Sequence, residues 1–192
     1  QIYQETEKSD GGWRDLRAFR IVKKQPQNEV ISSFVLAPVD GGRVADYQPG
    51  QYLAVYINDG SLQHQEIRQY SLTTASNGEY YRIAVKREEQ GAVSNFLHQQ
   101  AKEGDIIHLA APHGDFFLQV EPTTPVALIS AGVGQTPMLG MLNTLHDNQH
   151  PANIHWLHAA ENGSVHAFAD EVADIAGRMP NLSRHVWYRE PN

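Results

Sequence analysis

The stretch Val126-Ala127-Leu128-Ile129-Ser130-Ala131-Gly132-Val133-Gly134-Gln135-Thr136-Pro137 decides the architecture. Its first residues run apolar without alternation, as a strand buried in a parallel sheet requires. Two glycines follow, then Pro137, a residue suited to the start of a helix. Met138, Leu139, Leu142 and Leu145 supply that helix with an apolar face. Downstream, Ile154 to His158 reads as a second strand and Val165 to Arg178 as a helix, with Phe168, Val172 and Ile175 at core spacing. Arg184 to Tyr188 reads as a third strand. This βαβαβ order builds one half of a nucleotide-binding sheet, so the expected domain is a truncated one and the sequence reads as a fragment. An open apolar edge would then need cover.

Upstream of Pro122-Thr123-Thr124-Pro125 the pattern differs. Phe19 to Lys23, Ile31 to Leu36, Tyr52 to Ile57, Ile67 to Thr73, Tyr81 to Val85 and Ile106 to Ala110 are short runs rich in β-branched and aromatic residues. Gly41-Gly42, Pro49-Gly50, Asn77-Gly78, Gly104-Asp105 and Gly114-Asp115 punctuate them as turns. A helix from about Ser94 to Ala101, capped by Ser94, interrupts the series. The expected fold is a closed six-stranded antiparallel Greek-key β-barrel over residues 13–121, followed by an α/β parallel-sheet domain over residues 122–192.

Composition narrows the chemistry. Fifteen Lys and Arg against 22 Asp and Glu give a net charge of −7, which argues against nucleic-acid wrapping or an anionic membrane surface. The chain of 192 residues has no cysteine, which excludes thiolate zinc sites, iron–sulfur clusters and cysteine nucleophiles. Ten histidines raise a metal reading. Yet no HExxH occurs, and neither His146 with His150 nor His155 with His158 gains a third ligand, so no metal site is expected. Neither a spanning segment nor a signal peptide is visible, which fits a cytoplasmic protein.

Three segments are candidate sites. In Arg68-Gln69-Tyr70-Ser71, alternation places Arg68 and Tyr70 on one strand face and Gln69 and Ser71 on the other. The pattern offers a phosphate clamp beside a stacking surface and a hydroxyl able to bond a ring nitrogen. An ordinary strand with a polar and a core face would look the same. Gly91-Ala92-Val93-Ser94 opens a helix and could seat a phosphate on free amides, or be a plain capped turn. Gly132 to Pro137, with Val133, Gly134, Gln135 and Thr136 between, is shorter than GxGxxG. Its place between strand and helix favours nucleotide binding over a simple tight turn.

A barrel bearing RxYS, then GxVS at a helix start, then a βαβ domain with GxGxTP resembles the ferredoxin–NADP reductase family. Several longer runs are similar to its flavohemoglobin branch, whose members act as nitric oxide dioxygenases. They are Pro49-Gly50-Gln51-Tyr52, His64 to Leu72, Ile83 to Glu88, Ile129 to Met138 and His158 to Gly163. The resemblance implies FAD in the first domain and NADH or NADPH in the second. It also implies a haem-bearing globin domain N-terminal in the same polypeptide, with residues 1–12 as its exit and linker. Nitric oxide and dioxygen would be the small-molecule partners, with no nucleic acid or membrane involved.

Residue by residue, the resemblance implies Arg68 on an FAD phosphate, Tyr70 against the isoalloxazine and Ser71 near flavin N5, with Tyr52 and Gln69 also lining the flavin. The backbone of Val85 and Lys86 would meet the pyrimidine edge, and Gly91, Val93 and Ser94 the pyrophosphate. Gly132, Val133, Gly134, Gln135, Thr136 and Pro137 would hold the nicotinamide nucleotide, Thr136 closest to the reacting ring. Two alternatives stay open: a stand-alone ferric or flavin reductase of the same family, and a truncated nucleotide-binding module without activity.

Overall fold

The computed structural model describes residues 9–57 and 66–190. Most of the Gln1–Asp10 linker and the His64-Gln65 start of one motif lie outside them.

Six antiparallel strands form the first sheet: β1 (Arg17–Pro26), β2 (Ile31–Pro38), β3 (Tyr52–Ile57), β4 (Glu66–Ser71), β5 (Tyr81–Lys86) and β6 (Ile106–Leu109). Alternating side chains turn Phe19, Phe34, Leu36, Leu53, Val55, Ile83, Val85 and Leu109 into one fully buried cluster. A register shift between Ile21 and Lys23 leaves Val22 exposed beside buried Ile21. Helix α1 (Ala92–Gln99) packs Val93, Phe96 and Leu97 onto that cluster.

The expected closed barrel does not form. The strand order is β4-β3-β6-β1-β2-β5, an open sheet with β4 and β5 as its edges. Past the end of β4 a single bridge, Leu72 with Ile83, and the bond from Thr73 N to Arg82 O at 2.9 Å bring the edges together. Beyond β4, Leu72 N bonds Gln51 O, Thr73 N bonds Arg82 O and Thr74 O accepts from the Tyr47 hydroxyl, so the two edges meet only there. Closure fails because they diverge along β4, where Gln69 to Ser71 on one side and Ala84 and Lys86 on the other line the gap.

The second sheet is parallel, β7 (Val126–Ala131), β8 (Ile154–Ala160) and β9 (Leu182–Tyr188), in the order β7-β8-β9. Helices α2 (Gln135–Asp147) and α3 (Ala169–Arg178) bury Leu139, Leu142, Leu145, Val172 and Ile175 against Val126, Leu128, Ile154 and Trp156. The opposite sheet face, including Ile129 and Trp187, is exposed. No helix among the described residues is long and apolar enough to cross a membrane.

Three helix starts differ from expectation. Helix α1 begins at Ala92, because Gly91 rather than Ser94 is its cap. Helix α2 begins at Gln135, with Pro137 inside the first turn where a missing N–H costs no ladder bond. Helix α3 begins at Ala169, after the Asn162 side chain accepts from the amides of Ser164 and Val165 and closes a separate 3-10 turn, Gly163–Val165.

One polar knot joins the two layers. Arg82 Nη2 donates to Glu171 Oε1 at 2.7 Å and to Thr73 O at 3.0 Å, while Arg82 Nε donates to Thr73 Oγ1 at 2.8 Å. Asn143 Nδ2 donates to Thr73 O at 3.0 Å and to the same Glu171 Oε1 at 2.9 Å. The Arg82 and Glu171 side chains are only 18% and 26% exposed, so removing one partner leaves a largely desolvated charge. Beside the knot, Gly140 lets α2 approach the Leu72 carbonyl, which a Cβ would strike. Glu171→Gln is expected to lower unfolding stability by about 1–3 kcal/mol in urea titration. An unchanged midpoint would show that the knot holds nothing.

Candidate functional site

The opening between the edges β4 and β5 is a cleft of about 450 Å³, within the usual range for ligand sites. Its walls come from three separate parts of the chain: Arg68, Gln69, Tyr70 and Ser71 from β4; Lys86, Gly91 and Ser94 from β5 and the start of α1; Val133, Gly134, Thr136 and Pro137 from the glycine turn and α2. All four β4 residues border it, although alternation assigns them to two faces, because an edge strand presents both faces to a groove beside it.

Tyr70 is half-buried, and desolvation pushes its phenol up to about 12, so it offers a neutral flat ring. Among the described residues nothing hydrogen-bonds the Ser71 hydroxyl, which stands half-buried in the cleft wall. Arg68 is exposed, its Nη1 donating to Ile67 O at 2.7 Å and pairing with Glu66 Oε2 at 2.9 Å. An exposed pair of this kind is worth little and exchanges readily for another anion. Lys86 Nζ pairs with Glu88 Oε1 at 3.1 Å.

The loop before α1 is organised by Ser94. Its Oγ donates to Gly91 O at 3.1 Å and accepts from Glu88 N at 3.1 Å, and a Cβ on Gly91 would collide with it. The first helical bond is Asn95 N to Gly91 O at 2.9 Å, so the amides of Ala92, Val93 and Ser94 precede the ladder and suit an anion. On β5, Val85 O lies 2.8 Å from His98 Nε2. A carbonyl only accepts, so His98 carries its proton there, and burial lowers its pKa. Arg87 N donates to Val30 O at 2.7 Å, and every second residue of an antiparallel ladder points the same way, so the Val85 backbone faces β2 and that of Ala84 and Lys86 faces the cleft side.

Not every expected residue lines the cleft. Tyr52 packs edge-on against His113, with ring centroids 4.4 Å apart, and also against Gly114. Val85 and Val93 send their side chains into the core and offer only backbone. Gly132, at φ +51, shapes the turn from behind, and Gln135 is buried with its Oε1 unpartnered. The cleft adds Ala84 and Glu88, which the motifs did not name. Ala84 was legible as the small residue two positions before Lys86 on the same strand face. Glu88 carried no signal, since it sits in a charged loop.

The donor set fits a phosphorylated, planar ligand: two cations, free amides ahead of a helix, a second glycine turn with open space at Gly134 and one unionised aromatic ring. The comparisons agree. Residues 18–118 match the oxidoreductase FAD-binding domain and residues 128–192 the oxidoreductase NAD-binding domain. The flavohem-like FAD/NAD-binding domain of nitric oxide dioxygenase from Vibrio cholerae O1 biovar El Tor is 43% identical, with a TM-score of 0.87 over 93% of this chain and 76% of that one. The chain belongs to the flavohemoglobin-like reductases of the ferredoxin–NADP reductase superfamily.

It is thus an FAD- and NAD(P)H-binding oxidoreductase domain. Flavohemoglobin from Malassezia yamatoensis shares the fold at 20% identity and TM-score 0.84, this chain spanning 95% of itself and 48% of that protein. Ferredoxin-NADP+ reductase from Plasmodium falciparum shares it at 20% identity and TM-score 0.76, over 90% of this chain and 70% of that one. For this reductase-family member, Arg68→Ala is expected to weaken FAD binding by about 2–5 kcal/mol, the usual loss when one charged partner is removed. Titration of the cofactor-free protein with FAD measures it, and an unchanged affinity would remove Arg68 from the site.

Proposed function

We propose that this chain is the reductase portion of a flavohemoglobin, drawing electrons from NAD(P)H and delivering them to the haem of a globin domain in the same polypeptide. There nitric oxide and dioxygen become nitrate, in the cytoplasm. The observation that carries this reading is the meeting of three motifs, from β4, the start of α1 and the turn after β7, in one cleft. The 43% identity to a domain of a nitric oxide dioxygenase supports its specific direction. The domains are proposed as residues 13–121 for the flavin and 122–192 for the nucleotide, with 1–12 as the linker from the globin.

Bound FAD supplies the conversion of a two-electron donor into single electrons. The chain's own residues bind and orient. Arg68 meets a flavin phosphate, exchanging Glu66 for it, and the segment Gly91 to Ser94 meets the pyrophosphate through the amides of Ala92, Val93 and Ser94. Tyr70 packs on the isoalloxazine, and the backbone around Val85 and Lys86, open to the cleft at Lys86, faces its pyrimidine side. Gln69 and Tyr52 complete the wall, Tyr52 by bracing it from behind against His113. Gly132, Val133, Gly134, Gln135 and Pro137 hold the nicotinamide nucleotide, with Thr136, which lines the cleft, near the nicotinamide. Ser71 presents a hydroxyl to flavin N5, where it steadies the ring as that atom gains charge.

In the globin-bearing protein, Ser71→Ala is expected to slow flavin bleaching by NADH about tenfold to a hundredfold, the loss of one hydrogen bond, while FAD affinity holds. Stopped-flow absorbance reports it, and a wild-type rate would refute the N5 role. This chain, loaded with FAD and supplied with NADH under air, is expected to reduce a dye acceptor and to consume no nitric oxide catalytically, since the turnover needs haem iron. Catalytic nitric oxide loss without haem absorbance would place the chemistry elsewhere.

A further inference from the structure

A polar chain crosses all three parallel strands at their carboxyl ends. Ser130 Oγ, near the end of β7, lies 2.9 Å from His158 Nδ1 on β8. The His158 ring stacks on His166 with centroids 5.1 Å apart. His166 Nδ1 in turn lies 3.0 Å from the hydroxyl of Tyr188, the last residue of β9. His158 is 1% exposed, and the Nε2 atoms of both histidines are buried without a partner.

An unpaired buried group is costly, and an orphaned N–H is rarer than an orphaned acceptor. His158 therefore carries its proton on Nδ1, donates it to Ser130 Oγ and leaves Nε2 as the bare lone pair. Burial, and then the neighbouring His166, keep the ring neutral, with a pKa lowered to about 4. The bond of this buried ring fixes the position of Ser130.

That position is the start of the glycine turn. Ala131 and Gly134, the residues capping the Gly132–Gly134 turn and α2, make no side-chain cap bond. Gly132 and Gly134 touch nothing where a Cβ would stand. Val133 packs on the second core, but Gly132 and Gly134 bring no side chain to hold the rest of the turn, and Ser130 is the nearest hydrogen-bonded side chain before it.

We propose that His158 is a positioning residue that holds the Gly132–Gly134 turn in place through Ser130, with His166 and Tyr188 extending the brace to β9. The proposal rests on the assignment of that turn to the nicotinamide nucleotide. His158 touches no ligand and acts through Ser130.

Hydrogen exchange on the cofactor-free chain tests the brace, and titration of the FAD-loaded chain with NADH tests its use. Ser130→Ala and His158→Leu are expected to speed exchange at residues 131–136 about tenfold, the opening expected from one lost hydrogen bond, with β1 and β2 unchanged. Both variants should weaken NADH binding severalfold and leave FAD affinity intact. His158→Asn, which keeps a donor near the Nδ1 position, should restore both readouts. Unchanged exchange at the turn, or equal loosening of the whole parallel sheet, would overturn the brace. A loosened turn with undiminished NADH affinity would overturn the positioning role. Absence of NADH binding by the unaltered chain would sink the nucleotide assignment instead, while the exchange data still decide the brace.

Discussion

The knot of Arg82, Thr73, Asn143 and Glu171 is the constraint on which the rest of the structure depends. It lies where the chain leaving β4 meets β5, α2 and α3: the Thr73 amide pairs with Arg82 O, and the Thr73 carbonyl accepts from Arg82 and Asn143. The second domain is thereby fixed against the opening between β4 and β5. A cleft walled by both domains needs their spacing held to a fraction of an ångström, and a desolvated ion pair with shared acceptors does this better than a greasy contact that can slide. Gly140 sets the approach distance, since any side chain there would hold α2 off the Leu72 carbonyl.

Much of this was legible in the sequence because it is local. Alternation and turn residues placed every strand to within a few residues, and the order strand, glycines, helix identified the parallel unit. The meeting of Arg68, Ser94 and Thr136 was anticipated only through resemblance, for no spacing rule brings residues so far apart together. What escaped was decided at long range. Six short strands read as a barrel, but closure depended on whether β4 paired with β5 along its length, and only Leu72 and Thr73, past its end, do so. Ser94 looked like a cap, yet its hydroxyl folds the preceding loop, and Gly91 holds the cap position because no Cβ fits beside that hydroxyl. The helix expected from Val165 was interrupted by Asn162, three residues upstream of where its periodicity begins.

The cleft divides its labour between rigid and exchangeable parts. Tyr70 and Ser94 are fixed by packing and by bonds within the chain. Arg68 and Lys86, by contrast, sit in exposed pairs with Glu66 and Glu88, which keep the guanidinium and ammonium near the groove while leaving both free to change partner. A protein carrying a net charge of −7 gains from this arrangement, since the attraction for an anionic ligand is local and the acidic surface elsewhere discourages nonspecific capture.

The strand order β4-β3-β6-β1-β2-β5 also fixes a sequence of events during synthesis. The β1–β2 and β3–β4 hairpins are contiguous in the chain and can pair as soon as they emerge. The strand that unites them, β6, is the last of the six to be made and lies between β3 and β1. Until Leu109 has left the ribosome the two hairpins are linked only through β5, and the inner edges of β1 and β3 stand bare. The nascent domain therefore passes through a stage with two unpaired strand edges, which is the stage most open to misassociation and the one a chaperone would need to shield.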